Sequence, residues 1–240
     1  MSQDNFALLE TILYEPSKGF YLLDRHVDRL LKGVQDFHTQ FKTIPTMDQI
    51  KTLLKETIPQ DDSFKRVRLL FNDKDGLKVE YTDLGKEYRT YETLAEAIQG
   101  DNALKVMLDT EAIPCSASDP FITHKTTYRT LYNEARERMG CHHDGKVFDV
   151  ILWNKQQCIT ESSIANIAIQ TEGGDSWITP SLQCGLLPGV FRDKLLSSDE
   201  NMIEGVITLN DLINAQKNGN PIVCFNSVRK VYRVQLIILE

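Results

Sequence analysis

The sequence predicts an α+β fold in two domains, and three observations predict it. In the first half, turn-linked apolar runs alternate with stripes at helical spacing. Residues 109–119 show no periodicity. The second half is strand-rich. The expected division is a small α/β domain over residues 1–109, a linker over 110–119 and a β-rich domain over 120–240.

Taken in order, residues 6–14 are apolar and strand-compatible. Pro16-Ser17-Lys18-Gly19 is turn chemistry, and Phe20-Tyr21-Leu22-Leu23 resumes the apolar run, which reads as a hairpin. From Asp24 the period changes. Val27, Leu30, Leu31, Val34 and Phe37 recur at helical spacing, with Asp24 placed to cap. A second helix is expected over 46–57, carrying Met47, Ile50, Leu53 and Leu54. A second hairpin joins 67–71 to 77–81 around Asn72-Asp73-Lys74-Asp75-Gly76. Residues 104–108 form a further strand. Pro114, Ser116 and Ser118 mark the linker. A helix follows Lys125, with Tyr128, Leu131, Tyr132 and Ala135 in register. Strands are expected at 148–153, 164–169, 222–225 and 231–239. Pro188-Gly189-Val190 leads into a short helix over 191–196, and 208–213 begins another. There is no internal repeat and no low-complexity segment.

The chain has 240 residues, a net charge of −7 and a pI near 5.3. An acidic protein has no electrostatic reason to seek nucleic acid or an anionic membrane, so neither is an expected partner. Local basic groups can still hold a small anion. The five cysteines, Cys115, Cys141, Cys158, Cys184 and Cys224, are scattered and form no CxxC pair. Neither a metal site nor a disulfide framework is expected from them. No apolar run approaches the ~20 residues of a membrane span. Met1-Ser2-Gln3-Asp4-Asn5 is polar and lacks the pattern of a secretory signal, so a cytoplasmic location is expected.

The chemistry-bearing candidates are few. Lys125 directly follows the linker, in His124-Lys125-Thr126-Thr127. A lone lysine is ordinarily solvated. A carbonyl-trapping lysine must be partly desolvated, which a domain junction allows. Glu161 stands in Thr160-Glu161-Ser162-Ser163-Ile164-Ala165-Asn166 between two apolar strands, ordinarily a surface turn. Gly185-Leu186-Leu187-Pro188-Gly189-Val190-Phe191-Arg192 joins a loop to a helix N-terminus, whose free N–H groups suit a phosphate. Asn226-Ser227 ends an apolar strand. Arg29 lies on the polar side of the first helix, where an arginine is ordinarily solvated.

Each signal is weak alone, but their order along the chain resembles the fold-type IV enzymes that use pyridoxal 5′-phosphate (PLP). These are the class IV aminotransferases and 4-amino-4-deoxychorismate lyase. That family's pattern is H-x-x-R-L, the lysine, T-E-x-x-x-x-N, L-P-G-x-x-R and N-S. It is matched here by His26-Val27-Asp28-Arg29-Leu30, Lys125, Thr160 to Asn166, Leu187 to Arg192 and Asn226-Ser227. His124-Lys125-Thr126-Thr127-Tyr128-Arg129, Asn226-Ser227-Val228-Arg229 and Leu8-Leu9-Glu10-Thr11 are most similar to the lyase branch. Two departures stand out. The strand that free-standing members carry before the E-T segment is missing, and Lys230 stands where glycine follows the arginine.

The resemblance implies a small N-terminal α/β domain and a C-terminal β-rich pseudobarrel that binds PLP. It implies that Lys125 holds the cofactor covalently and then moves protons, and that Glu161 pairs the pyridinium. Arg29, Ser227 and the backbone N–H groups of Val190 and Phe191 would hold the phosphate. Arg129 and Thr11 would lie near the substrate. The implied reaction turns 4-amino-4-deoxychorismate into 4-aminobenzoate and pyruvate. Transamination of a branched-chain or D-amino acid, or ligand binding without catalysis, are the alternatives. A homodimer acting on a small molecule is implied by the same analogy.

Overall fold

The computed structural model describes residues 5–100, 102–114, 116–141, 146–198 and 200–238. The expectations about the N-terminal Met1–Asp4 stretch, Cys115, and the last residues of the final strand therefore fall outside the described residues.

The chain folds as two compact units. Residues 1–89 and 124–128 form one, and residues 90–123 and 129–240 the other. In the first unit, β1 (Leu8–Glu15) pairs antiparallel with the two-residue β2 (Gly19–Phe20), and α1 (Leu23–Asp36) and α2 (Met47–Thr57) follow. The long hairpin of β3 (Phe64–Asn72) and β4 (Gly76–Gly85) completes a four-stranded sheet in the order β2-β1-β3-β4. Helix α1 buries Val27, Leu30 and Val34, the stripe read from the sequence, against β1. Its N-cap is Leu22, at φ 53°, not Asp24. The helix starts at Leu23, so Asp24 already lies in the first turn, where a negative charge complements the helix dipole. Helix α2 begins on a capping box made by Thr46 and Gln49.

The second unit holds α3 (Leu94–Gln99), β5 (Leu104–Leu108), the short α4 (Pro120–Thr123), α5 (Thr130–Arg138), β6 (Asp149–Trp153), β7 (Ile159–Ser162), β8 (Asn166–Gln170) and β9 (Trp177–Pro180). It continues with α6 (Val190–Leu196), β10 (Met202–Gly205), α7 (Leu209–Asn218), β11 (Ile222–Asn226) and β12 (Lys230–Ile237). Its eight strands form one mixed sheet in the order β10-β9-β8-β11-β12-β5-β6-β7. Edge strand β7 also packs beside β8 and β9, so the sheet curls into a half-barrel. The concave core is aliphatic, with Val106, Ile151, Ile167, Leu212 and Val234 among its buried members. Among the described residues no helix is long and apolar enough to cross a membrane.

The expected boundary at 110–119 differs from this packing. Strand β5 lies between β12 and β6, parallel to both, so residues 104–108 belong to the second unit's sheet. Residues 124–128 return to the first unit, because Leu9 N–H donates to Lys125 O and Thr127 N–H to Ala7 O, extending β1's pairing. Helix α5 correspondingly starts at Thr130, later than expected. Thr126 Oγ1 accepts from Tyr128 N–H at 3.2 Å, and this side-chain turn competes with a helical start.

Candidate active site

In the first unit, Lys125 is half-buried and lies opposite Leu9, since Leu8 and Thr126 form an antiparallel bridge. Opposed residues in an antiparallel pair share a face, and alternate residues of one strand share it too. Lys125 therefore shares the face of Thr11. His124 points the other way and packs on α1, where its Nε2 lies 2.8 Å from Asp36 and its ring meets Phe37 edge-on.

Arg29 is not a solvated arginine. Its side chain is 12% exposed and grips Glu10 with two bonds, Nε to Oε1 at 2.8 Å and Nη2 to Oε2 at 2.6 Å. His26 Nδ1 lies 2.6 Å from the same Oε2. Burial alone would push the Glu10 carboxyl up. The Arg29 charge and the hydrogen bonds from His26 and Arg29 outweigh it and hold the carboxyl at about 2. Burial pushes His26 down, with the nearby charges of Arg29 and Lys125 adding to it, against the pull of Glu10. A neutral ring protonated on Nδ1 follows, donating to the ionised Glu10. Its Nε2 is buried without a hydrogen-bond partner among the described residues.

In the second unit, the segment around Glu161, ordinarily a surface turn, is a buried strand. Glu161 lies in β7 and is 5% exposed. Its Oε1 accepts from the Tyr132 hydroxyl at 2.8 Å and from Leu187 N–H at 3.2 Å. Asn166 Nδ2 stands 3.4 Å from Oε2 and donates to Leu187 O at 2.9 Å. The Leu187-Pro188-Gly189 turn is thus tied to Glu161 through both its amide and its carbonyl. Gly189 is required at the turn, because a Cβ there would lie 2.0 Å from Asn166 Oδ1. Val190 and Phe191 open α6, which no side chain caps. Phe191 is buried against Phe225 of β11, their rings 6.4 Å apart. Two residues on, Ser227 is buried in the turn after β11. That turn is held by Asn226, which accepts from Val228 and Arg229 N–H groups and donates to Ile164 O at 3.2 Å.

The second unit therefore brings Glu161, the start of α6 and the Ser227 turn into one cross-linked cluster. Arg129 joins it. Its Nη2 donates to Ser163 O and its guanidinium lies 4.7 Å from the Tyr132 ring centroid. Arg192 does not face this cluster's chemistry. It is buried and bonds Pro180 O and the Glu204 carboxylate, a structural role. Lys230 also has a structural explanation. Its φ of 55° is the left-handed region that favours glycine. The lysine is 1% exposed and pairs with Glu92, which Lys194 also reaches at 2.7 Å.

Sequence reasoning assigned no role to Glu10, Tyr132 or Asn166. One signal for the first was available. A glutamate inside the apolar run Leu8–Glu15 is anomalous, and His26 and Arg29, three apart on a helix, share one face. Tyr132 left no such signal, because its partner is 29 positions away.

Comparison with known proteins defines the class. The sequence pattern of the family described as "Amino-transferase class IV" matches residues 7–237. The chain belongs to this family of PLP-dependent enzymes. It is 32% identical over 234 residues to a Schizosaccharomyces pombe protein provisionally named aminodeoxychorismate lyase, covering 96% of this chain and 90% of that one. A Mesorhizobium loti structure, provisionally described as an amino-acid aminotransferase, is 26% identical with a TM-score of 0.75, covering 97% of this chain and all of that one. A 4-amino-4-deoxychorismate lyase structure from Pseudomonas aeruginosa is 16% identical with a TM-score of 0.69, covering 96% of this chain and 82% of that one. At that identity it shows the shared fold alone.

Proposed function

We propose that this enzyme is a PLP-dependent 4-amino-4-deoxychorismate lyase, releasing 4-aminobenzoate and pyruvate on the route to folate. The observation that carries the lyase reading is the end-to-end likeness to the S. pombe relative.

The residues present fit the cofactor. Glu161 is a buried carboxylate met by neutral donors, suited to a cationic ring nitrogen. The uncapped start of α6 offers N–H groups to a phosphate. When bound, PLP supplies the electron sink for chemistry at the substrate's α-carbon. Lys125 would hold it covalently and, once the substrate amine has displaced it, its free amine would take the α-proton and return a proton to the product side. Glu161 would keep the ring nitrogen protonated. The groups that would hold the phosphate are Ser227 and the N–H groups of Val190 and Phe191 in the second unit and Arg29 in the first. Arg29 would do so while anchored to Glu10, which fixes its guanidinium. Arg129 and Thr11 orient the substrate, Thr11 from the face it shares with Lys125.

Family membership and the M. loti structure favour a second reading, transamination of a branched-chain or D-amino acid with the same lysine. Product analysis separates the two. Pyruvate formed from aminodeoxychorismate with no amino acceptor supports the lyase, whereas turnover only with an added 2-oxo acid supports the transaminase. By family analogy the proposal extends to a cytoplasmic homodimer.

A further inference from the structure

Tyr132 has no part in the reading above, yet its hydroxyl donates a hydrogen bond to Glu161 Oε1 at 2.8 Å. Both residues are buried. The Arg129 guanidinium lies 4.7 Å from the Tyr132 ring centroid, itself fixed by a bond to Ser163 O. A cation over the ring face draws electron density from the phenol and makes its O–H a stronger donor. A hydrogen bond donated to a carboxylate favours the ionised form, more so where water is excluded.

We propose that Tyr132 is a positioning residue that holds the Glu161 carboxylate ionised and fixed in one orientation, so that the proton shared with the cofactor's ring nitrogen stays on the ring. The inference rests on Glu161 being that nitrogen's partner. Without the phenol, Glu161 is the stronger base and draws the proton onto itself, leaving the ring neutral. Only the proton changes place. Arg129 contributes through Tyr132 by polarising it.

The test loads wild-type, Tyr132→Phe, Glu161→Gln and doubly substituted protein with PLP labelled with ¹⁵N in the ring. The nitrogen chemical shift separates protonated from bare nitrogen, and titration of apo-protein gives the PLP dissociation constant. The wild type should show a protonated ring. Tyr132→Phe should move the shift toward the bare value and weaken PLP binding about tenfold, the scale of one hydrogen bond to a charged group. The double variant should match Glu161→Gln alone, because Tyr132 acts only through Glu161. A protonated ring in Tyr132→Phe, or an effect that adds fully to that of Glu161→Gln, overturns the proposal. A ring that stays protonated in Glu161→Gln overturns the assignment of Glu161 itself, a distinct outcome. Arg129→Met, which leaves the hydroxyl in place, supplies a second variant with a smaller shift in the same direction. No shift in it overturns the polarising role.

Discussion

Arg29→Met separates a surface arginine from the one seen here. The Glu10 side chain is 2% exposed and Arg29 holds both its oxygens, so the substitution leaves a buried carboxylate with His26 as its one ionisable partner among the described residues. Breaking a buried pair from one side costs about 3–5 kcal/mol. A second route to the magnitude uses the Glu10 carboxyl itself, held at about 2 against its ordinary 4.5. A span of about 2.5 pH units at ~1.36 kcal/mol each gives about 3 kcal/mol as the net gain of its partners over the burial that opposes them. The two routes agree, and the lower end is the better estimate because His26 remains. The assay is urea unfolding of the apo-protein at pH 7, which removes the cofactor from the comparison. The sign with pH follows. A carboxyl held low in the folded state stabilises above 4.5, and that contribution is lost as pH falls from 4.5 to 2. The gap between wild type and variant should therefore close across that window. A gap below ~0.5 kcal/mol at pH 7, the range of an ordinary surface substitution, refutes the reasoning.

Other consequences follow in both units. Glu161→Gln should retain PLP yet lose at least ~10²-fold in turnover, measured by steady-state kinetics, because an amide does not hold the ring nitrogen protonated. Gly189→Ala should destabilise by about 1–3 kcal/mol in thermal or urea unfolding, since the new Cβ lies 2.0 Å from Asn166 Oδ1 and Asn166 also holds Leu187. The same variant should weaken PLP binding if the turn cradles the phosphate. Burial holds His26 neutral in the folded chain below its ordinary 6.5, where the unfolded chain takes up a proton, so acidification from 6.5 downwards favours unfolding. His26→Gln should be less sensitive to mild acid than the wild type.

The longer elements were legible because their periods repeat. The stripe Val27, Leu30 and Val34 marked α1, and the strand at 104–108 is Leu104–Leu108 as expected. Strands β7, β9 and β10 escaped notice because four residues are too few for an alternation to register. Helix α3 is six residues long, and its only local mark is the box of Thr93 with Glu96. The family motifs located Lys125, Glu161 and the turns of the second unit, but not their surroundings. Local sequence alone does not distinguish Arg29 from an ordinary solvated arginine, because its partner Glu10 is on another element, nor Glu161 from an ordinary turn residue, because burial is decided by packing. The place of residues 104–108 in the sheet was likewise invisible, since parallel pairing with β12 joins distant parts of the chain.

The central claim is that Lys125 is the residue that holds the cofactor. Protein saturated with PLP is reduced with borohydride, digested and mapped by mass spectrometry. The account predicts one pyridoxyl adduct on Lys125, lost in Lys125→Ala together with the visible absorbance band. An adduct on another lysine, or none at saturating PLP, contradicts it.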